Sequence, residues 1–174
     1  KPVQWHDILV LARGNAGWLV APRMALGETP GNAQINISHN LASSSLLAVN
    51  QRSIDAAPES DFSGVDNVEV WRLDDAMEPS WEKPLMLKLD TQGFEMHVLK
   101  GASRTLRDTT LLITELSLAP LYGNGATMME VFNHLEQQGF RCISIIQGFA
   151  DHQRNELLQV DGIFVRDHPA KTGI

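Results

Sequence analysis

The sequence contains a single cysteine, Cys142, among 174 residues. One cysteine excludes an internal disulfide bond and a cysteine metal cluster. It also suits a reducing compartment, so we expect a cytoplasmic protein. No apolar run approaches the roughly 20 residues that a membrane-spanning helix needs. The sequence therefore predicts no membrane span.

Positive charge is also scarce, because 14 lysines and arginines stand against 21 acidic residues and give a net charge of −7. The scattered basic residues argue against a nucleic-acid partner, whose phosphates favour the opposite balance. The six histidines show neither H-x-x-x-H nor H-E-x-x-H spacing, and the G-x-S-x-G motif is absent. We therefore predict no metal site and no serine hydrolase.

The length and the hydrophobic fraction of 43% fit one globular domain over residues 1–174. In the first half, apolar residues at helical spacing predict a helix over 5–12 that stops at Gly14. Residues 18–26, 33–38 and 68–73 read as strands. The polar stretch 40–66 reads as a long surface excursion, either mobile or functional, and 74–77 as a short helical turn.

The second half alternates strands and helices more clearly. Its predicted strands are 85–89, 111–115, 142–146 and 162–165. Its predicted helices are 98–106, despite Gly101 in its middle, and a second one that starts at the capping box Thr127–Glu130 and ends at Gly139. This alternation predicts an α/β fold with a mostly parallel sheet, helices on both faces and an antiparallel last strand.

Polar residues stand where two of these strands end, and ligands of open α/β sheets bind beyond such ends. Lys88 and Asp90 share one face of their strand, Glu115 closes the next strand, and Glu95 begins the following helix. A lysine in an apolar strand is costly to bury without a partner. We expect Lys88 to be largely buried and paired with Asp90, Glu95 or Glu115. An ordinary ion pair that ties two strands together explains the same residues.

The string KLDTQGFEMHVLKGA, residues 88–102 of the form K-x-D-x-x-G-x-E…VL-x-GA, resembles the signature of FkbM-type methyltransferases. Further segments resemble the family in order and spacing. They are Ala25-Leu26-Gly27 followed by Gly31, Ser44-Ser45-Leu46, Leu73-Asp74-Asp75, Glu115, and Val160 to Val165.

The resemblance implies a Rossmann-like methyltransferase sheet and methyl transfer from S-adenosylmethionine. The acceptor would be a small molecule, usually a hydroxyl of a sugar, polyketide or similar metabolite. A base near the acceptor helps, because a neutral hydroxyl is a poor nucleophile.

The resemblance also assigns roles to residues of this sequence. Asp90 would face the methyl donor or the acceptor, with Glu95 and Glu115 as further catalytic candidates. Lys88 would orient these carboxylates. Ala25 and Leu26 would lie on the adenine side of the cofactor.

Methyltransferases of this fold hold the cofactor with a glycine-rich turn after the first strand and an acidic residue that closes the second. Neither occurs in this sequence, so we expect the first two strands to precede Lys1 and the sheet to be incomplete without them. One alternative is a degenerate methyltransferase fold used for interaction. Another is a nucleotide-binding oxidoreductase, which the absence of G-x-G-x-x-G disfavours.

Overall fold

The computed structural model of the protein describes residues 19–77 and 82–166. The helix predicted over 5–12 lies outside these ranges. The described elements form an α/β arrangement with two main sheets and a short hairpin.

The first sheet has three strands in the order β1-β3-β2, where β1 is Ala25–Leu26, β2 is Gly31–Ser38 and β3 is Phe62–Trp71. β1 runs parallel to β3, and β2 runs antiparallel to it. β2 confirms the strand predicted over 33–38. Of the strand predicted over 18–26, the described residues 19–24 are irregular and only the last two residues form a strand. Pro22 lacks the N–H group that a continuous strand would use.

The polar stretch 40–66 is more ordered than its composition predicted. It contains helix α1 (Gln51–Ala56), a 3-10 turn (Pro58–Ser60) and the first residues of β3. The strand predicted over 68–73 therefore begins at Phe62 and ends at Trp71. The antiparallel ladder with β2 explains the difference, because it pairs backbone groups whatever the side chains are.

Helix α2 (Leu73–Ala76) confirms the short helical turn and leads to strand β4 (Leu85–Leu89), which has the predicted bounds. The single helix predicted over 98–106 is wrong, because two helices occur there, α3 (Glu95–Lys100) and α4 (Ser103–Asp108). Gly101 separates them. Its carbonyl accepts a hydrogen bond from the Asp74 backbone N–H, which ties α2 to this break.

The second sheet has four strands in the order β4-β5-β9-β6. Strand β5 (Thr109–Ser117) runs parallel to β4. The last strand, β9 (Gln159–Val165), lies antiparallel between β5 and β6 (Arg141–Gln147), which confirms the antiparallel last strand. A hairpin of β7 (Ala150–Asp151) and β8 (Glu156–Leu157) connects β6 to β9.

Helix α5 (Met128–Gln137) follows β5 and begins at the predicted capping box. The Thr127 hydroxyl accepts from the Glu130 N–H, and the Glu130 carboxylate accepts from the Thr127 N–H. Gly139 follows the helix with a positive φ of 83°, as predicted for a left-handed cap.

The main core lies between one face of the second sheet and helices α3, α4 and α5. Leu89, Leu112 and Phe164 of the sheet are buried there. Residues of the opposite face alternate with them along each strand, and Met86 on that face is 61% exposed. Because β4 and β5 are parallel neighbours, their carboxyl ends meet at one edge. In the described ranges, no helix is long and apolar enough to cross a membrane.

Candidate active site at the ends of two parallel strands

The turn between β4 and α3 has an unusual backbone. Gln92 and Gly93 both have positive φ angles, 53° and 90°. Gly93 is required twice over, because it adopts this conformation without strain and a Cβ would lie 2.9 Å from the Tyr122 Cβ. This turn therefore packs closely against the loop that follows β5.

Glu95 holds the turn from inside. Its carboxylate accepts hydrogen bonds from the backbone N–H groups of Thr91 at 2.8 Å and Gly93 at 3.3 Å. Burial raises the pKa of Glu95, although these backbone hydrogen bonds oppose the rise. The side chain is 5% exposed. Its contacts stabilise the turn.

Asp90 follows β4 and pairs with Lys88, whose Nζ lies 2.9 Å from the Asp90 Oδ2. The predicted ion pair is confirmed, but the predicted burial of Lys88 is wrong, since its side chain is 52% exposed. Lys88 lies with Met86 on the face of the second sheet opposite the core, which we call the open face, and solvent reaches it there. The hydrogen bond to Asp90 raises the pKa of Lys88.

Glu115 lies near the end of β5, directly across from Asp161 of β9. Burial raises the pKa of Glu115 to about 8, and the negative charges of Asp90, Glu95 and Asp161 act in the same direction. Glu115 is therefore mostly protonated at neutral pH and can donate a hydrogen bond to Asp90.

The pKa of Asp90 is shifted in the opposite direction, to a lower value. Burial favours its neutral form, but hydrogen bonds from Lys88 and Gln92 and the hydrogen bond with Glu115 together lower its pKa. Asp90 and Glu115 are thus an ionised and a protonated carboxyl side by side, the usual outcome when two carboxyls share one site. We call Asp90, Glu115 and Asp161, with Lys88, the carboxylate cluster.

Sequence reasoning missed three polar residues that complete this site: Gln92, Tyr122 and Gln159. The Gln92 Nε2 donates to Asp90 Oδ1 at 2.8 Å and to Glu115 Oε2 at 3.1 Å. The Gln159 Nε2 also donates to Glu115 Oε2, at 3.2 Å. Gln92 lies inside the motif at an unassigned position, and Tyr122 is the only tyrosine of the sequence. Asp161 lies in the segment Val160 to Val165 that resembles the family, and the resemblance assigns it no role.

The segment after β2 also reaches the site. Ser45 is buried, and its hydroxyl donates to the Gln92 carbonyl at 2.8 Å. The Tyr122 hydroxyl donates to Gln92 Oε1 at 2.8 Å. Three segments distant in sequence therefore meet at Gln92. Part of the polar stretch read as a surface excursion helps to build the site.

A cavity of about 270 Å³ adjoins this point between Gly93, the loop after β5 and the start of α5. Tyr122, Ser117 and Thr127 provide its polar groups. Its other lining side chains are mainly apolar, namely Leu118, Ala119, Pro120, Leu121, Ala126, Met128 and Met129.

Ala25 and Leu26 form β1 and are not part of the carboxylate cluster. The chain after them approaches the site, because a Cβ at Gly27 would lie 3.3 Å from the Phe94 ring. Among the described residues, no group of three or more His, Cys, Asp or Glu side chains could hold a metal ion.

The comparisons with known proteins give one finding. Residues 9–142 match the methyltransferase FkbM domain family, a range that includes the turn, the carboxylate pair and the loop with Tyr122. The closing segment with Asp161 lies beyond this range. No curated protein and no solved structure matches the sequence. Because the match covers well over half of the chain, this protein belongs to the FkbM methyltransferase domain family.

Proposed function

We propose that the protein transfers a methyl group from S-adenosylmethionine to a hydroxyl oxygen of a small molecule. Family membership indicates a methyltransferase and hence a methyl donor. The observation that carries the finer proposal is the Asp90–Glu115 pair at the carboxyl ends of two parallel strands, where ligands of α/β sheets bind.

The charge of the site fits this methyl donor. Glu115 is mostly protonated at neutral pH, so the carboxylates of Asp90 and Asp161 stand against one cation, Lys88. An excess of carboxylates favours a positively charged ligand. S-adenosylmethionine, when bound, supplies an electrophilic methyl group on a cationic sulfonium. Asp90 would hold it on the cluster side, and Ala25 and Leu26 at the end of β1 on the adenine side.

Asp90 is the residue proposed to face the acceptor. It is ionised, half-exposed and fixed by Lys88 and Gln92. A carboxylate held in this way would accept a hydrogen bond from an acceptor hydroxyl, orient the oxygen lone pair and take the hydroxyl proton. Protonated Glu115 donates a hydrogen bond to Asp90 and, because it is neutral, places no second negative charge beside Asp90. Lys88 orients Asp90, and Glu95 fixes the turn.

The cavity suggests the class of acceptor. Its volume of about 270 Å³ is at the small end for ligand sites, and its lining is mainly apolar. A sugar would require many polar partners there. We therefore favour a small acceptor with an apolar body and a hydroxyl group, as in a polyketide.

We further propose that the domain, which includes residues 1–174, completes a Rossmann-like sheet with two more parallel strands and helices on the open face. In the described part of the chain, β4 pairs only with β5, and β1 pairs only with β3. Two strands between β1 and β4 would join the two sheets. Apolar side chains on the open face, such as Met86, would then be covered.

The test uses the full-length protein with S-adenosylmethionine and a panel of hydroxylated acceptors. Asp90→Asn keeps the size of the side chain but removes its charge and basicity, so we expect kcat/KM to fall about 100-fold or more. The matched control is Asp75→Asn, which changes an exposed carboxylate on α2. Wild-type turnover by Asp90→Asn, with normal folding, would remove Asp90 from the mechanism.

A further inference from the structure

Gln92 occupies the left-handed region with φ 53°, which residues other than glycine rarely adopt. Such strained residues persist only where the surroundings hold them, and they cluster at functional sites. Here the Ser45 hydroxyl holds the Gln92 carbonyl, and the Glu95 carboxylate holds the N–H groups on either side of Gln92.

The Gln92 side chain uses its hydrogen-bonding groups in three directions. The amide nitrogen has two hydrogens, and it donates to both Asp90 and Glu115. The amide oxygen accepts from Tyr122, whose ring packs on Gly93 and lines the cavity. An ionised glutamate at this position could accept from Tyr122 but could not donate to either carboxyl.

We propose that Gln92 is the positioning residue of this site, which orients Asp90 and Glu115 and connects both carboxyls to the Tyr122 wall of the cavity. The side chain is part of the geometry in which Asp90 stays ionised. It also makes that geometry depend on Tyr122, so contact of an acceptor with the cavity wall is transmitted to Asp90. The kinetic consequences rest on the proposed function, whereas the orientation of the carboxyls does not.

The first experiment measures the titration of Asp90 and Glu115 by carboxyl carbon NMR in the full-length protein. Gln92→Glu keeps the length of the side chain and removes both N–H donors, and Gln92→Gly removes the side chain and the backbone strain. Because the donors stabilise the ionised form of Asp90, both variants should raise the Asp90 pKa. Asn155→Gly, at a left-handed residue with φ 52° in the β7–β8 hairpin, is the control for the backbone change. It should leave both titrations unchanged.

The second experiment measures methyl transfer against pH. A higher Asp90 pKa moves the acid limb of kcat/KM to higher pH in both Gln92 variants. Misplacement of the carboxylate should lower kcat roughly 100-fold, with a small change in KM. Tyr122→Phe should have a weaker effect in the same direction. Its effect should largely disappear in a Gln92→Gly background, because both changes break the same connection.

Unchanged Asp90 and Glu115 titrations in a folded Gln92→Gly protein would overturn the positioning role, whatever the protein catalyses. Wild-type kcat and an unmoved acid limb in that variant would overturn it as well. If the wild-type protein transfers no methyl group, the proposed function fails, and the NMR titration alone decides the role of Gln92. Additive effects of Tyr122→Phe and Gln92→Gly would overturn the connection to the cavity wall.

Discussion

Glu115→Gln should make the protein more stable at pH 8 and leave it equally stable at pH 4.5. The wild-type carboxyl has a pKa of about 8, against an ordinary value of 4.5. Between these values the folded state keeps its proton while the unfolded state loses it. The unfolded state then binds fewer protons, so the free energy of unfolding falls as the pH rises.

The structure also gives the magnitude. A rise in pKa from 4.5 to about 8 corresponds to roughly 5 kcal/mol, lost at up to about 1.4 kcal/mol per pH unit. A glutamine does not titrate, yet it makes the same bonds as a protonated Glu115. Its oxygen accepts from Gln92 and Gln159, and its N–H donates to Asp90. The stability gained by the variant should therefore grow from near zero at pH 4.5 to a maximum near pH 8.

Urea unfolding of both proteins at several pH values between 4.5 and 8.5 measures this difference. Asp90 does not contribute to the pH dependence in this range. Its pKa is lowered in the folded state, so the stability that its ionised form provides is lost only as the pH falls below about 3.8. Glu130→Gln is the control. Hydrogen bonds from Thr127 lower the Glu130 pKa, so the pH dependence of stability that this carboxyl causes lies below pH 4.5, outside the measured range. Parallel stability curves for wild type and Glu115→Gln would refute a protonated Glu115. We expect the variant to keep most of its methyl transfer at neutral pH.

Two further substitutions test the packing and the ion pair. In a protein of residues 1–174, Lys88→Met should cost less than about 1 kcal/mol, because the pair is solvent-exposed there, and should raise the Asp90 pKa; a loss of about 3–5 kcal/mol in urea unfolding would indicate a buried pair instead. Gly101→Ala should destabilise the protein by several kcal/mol, because the added Cβ would lie 2.1 Å from the Gly27 carbonyl oxygen. An unchanged melting temperature for Gly101→Ala would contradict this close approach.

Local patterns in the sequence determined several elements of this protein. The bounds of β4, the capping box at Thr127 and the end of α5 just before Gly139 follow from residues within a few positions of each other. The motif around Asp90 also identified the family and placed Lys88 and Asp90 together. Hydrophobic periodicity, caps and motifs are local signals, so they survive without knowledge of the fold.

Other features depend on contacts between distant segments, and only the tertiary structure decided them. The start of β3 at Phe62 follows from pairing with β2, not from its polar composition. The exposure of Lys88 follows from its position on the open face of the second sheet. The pKa of Glu115 requires its burial beside Asp90 and Asp161, and Gln92 gains its partners only when Ser45 and Tyr122 fold against it. Burial and hydrogen bonds between residues distant in sequence produce no periodic pattern in the sequence. They nevertheless determine the geometry and the protonation states of this site.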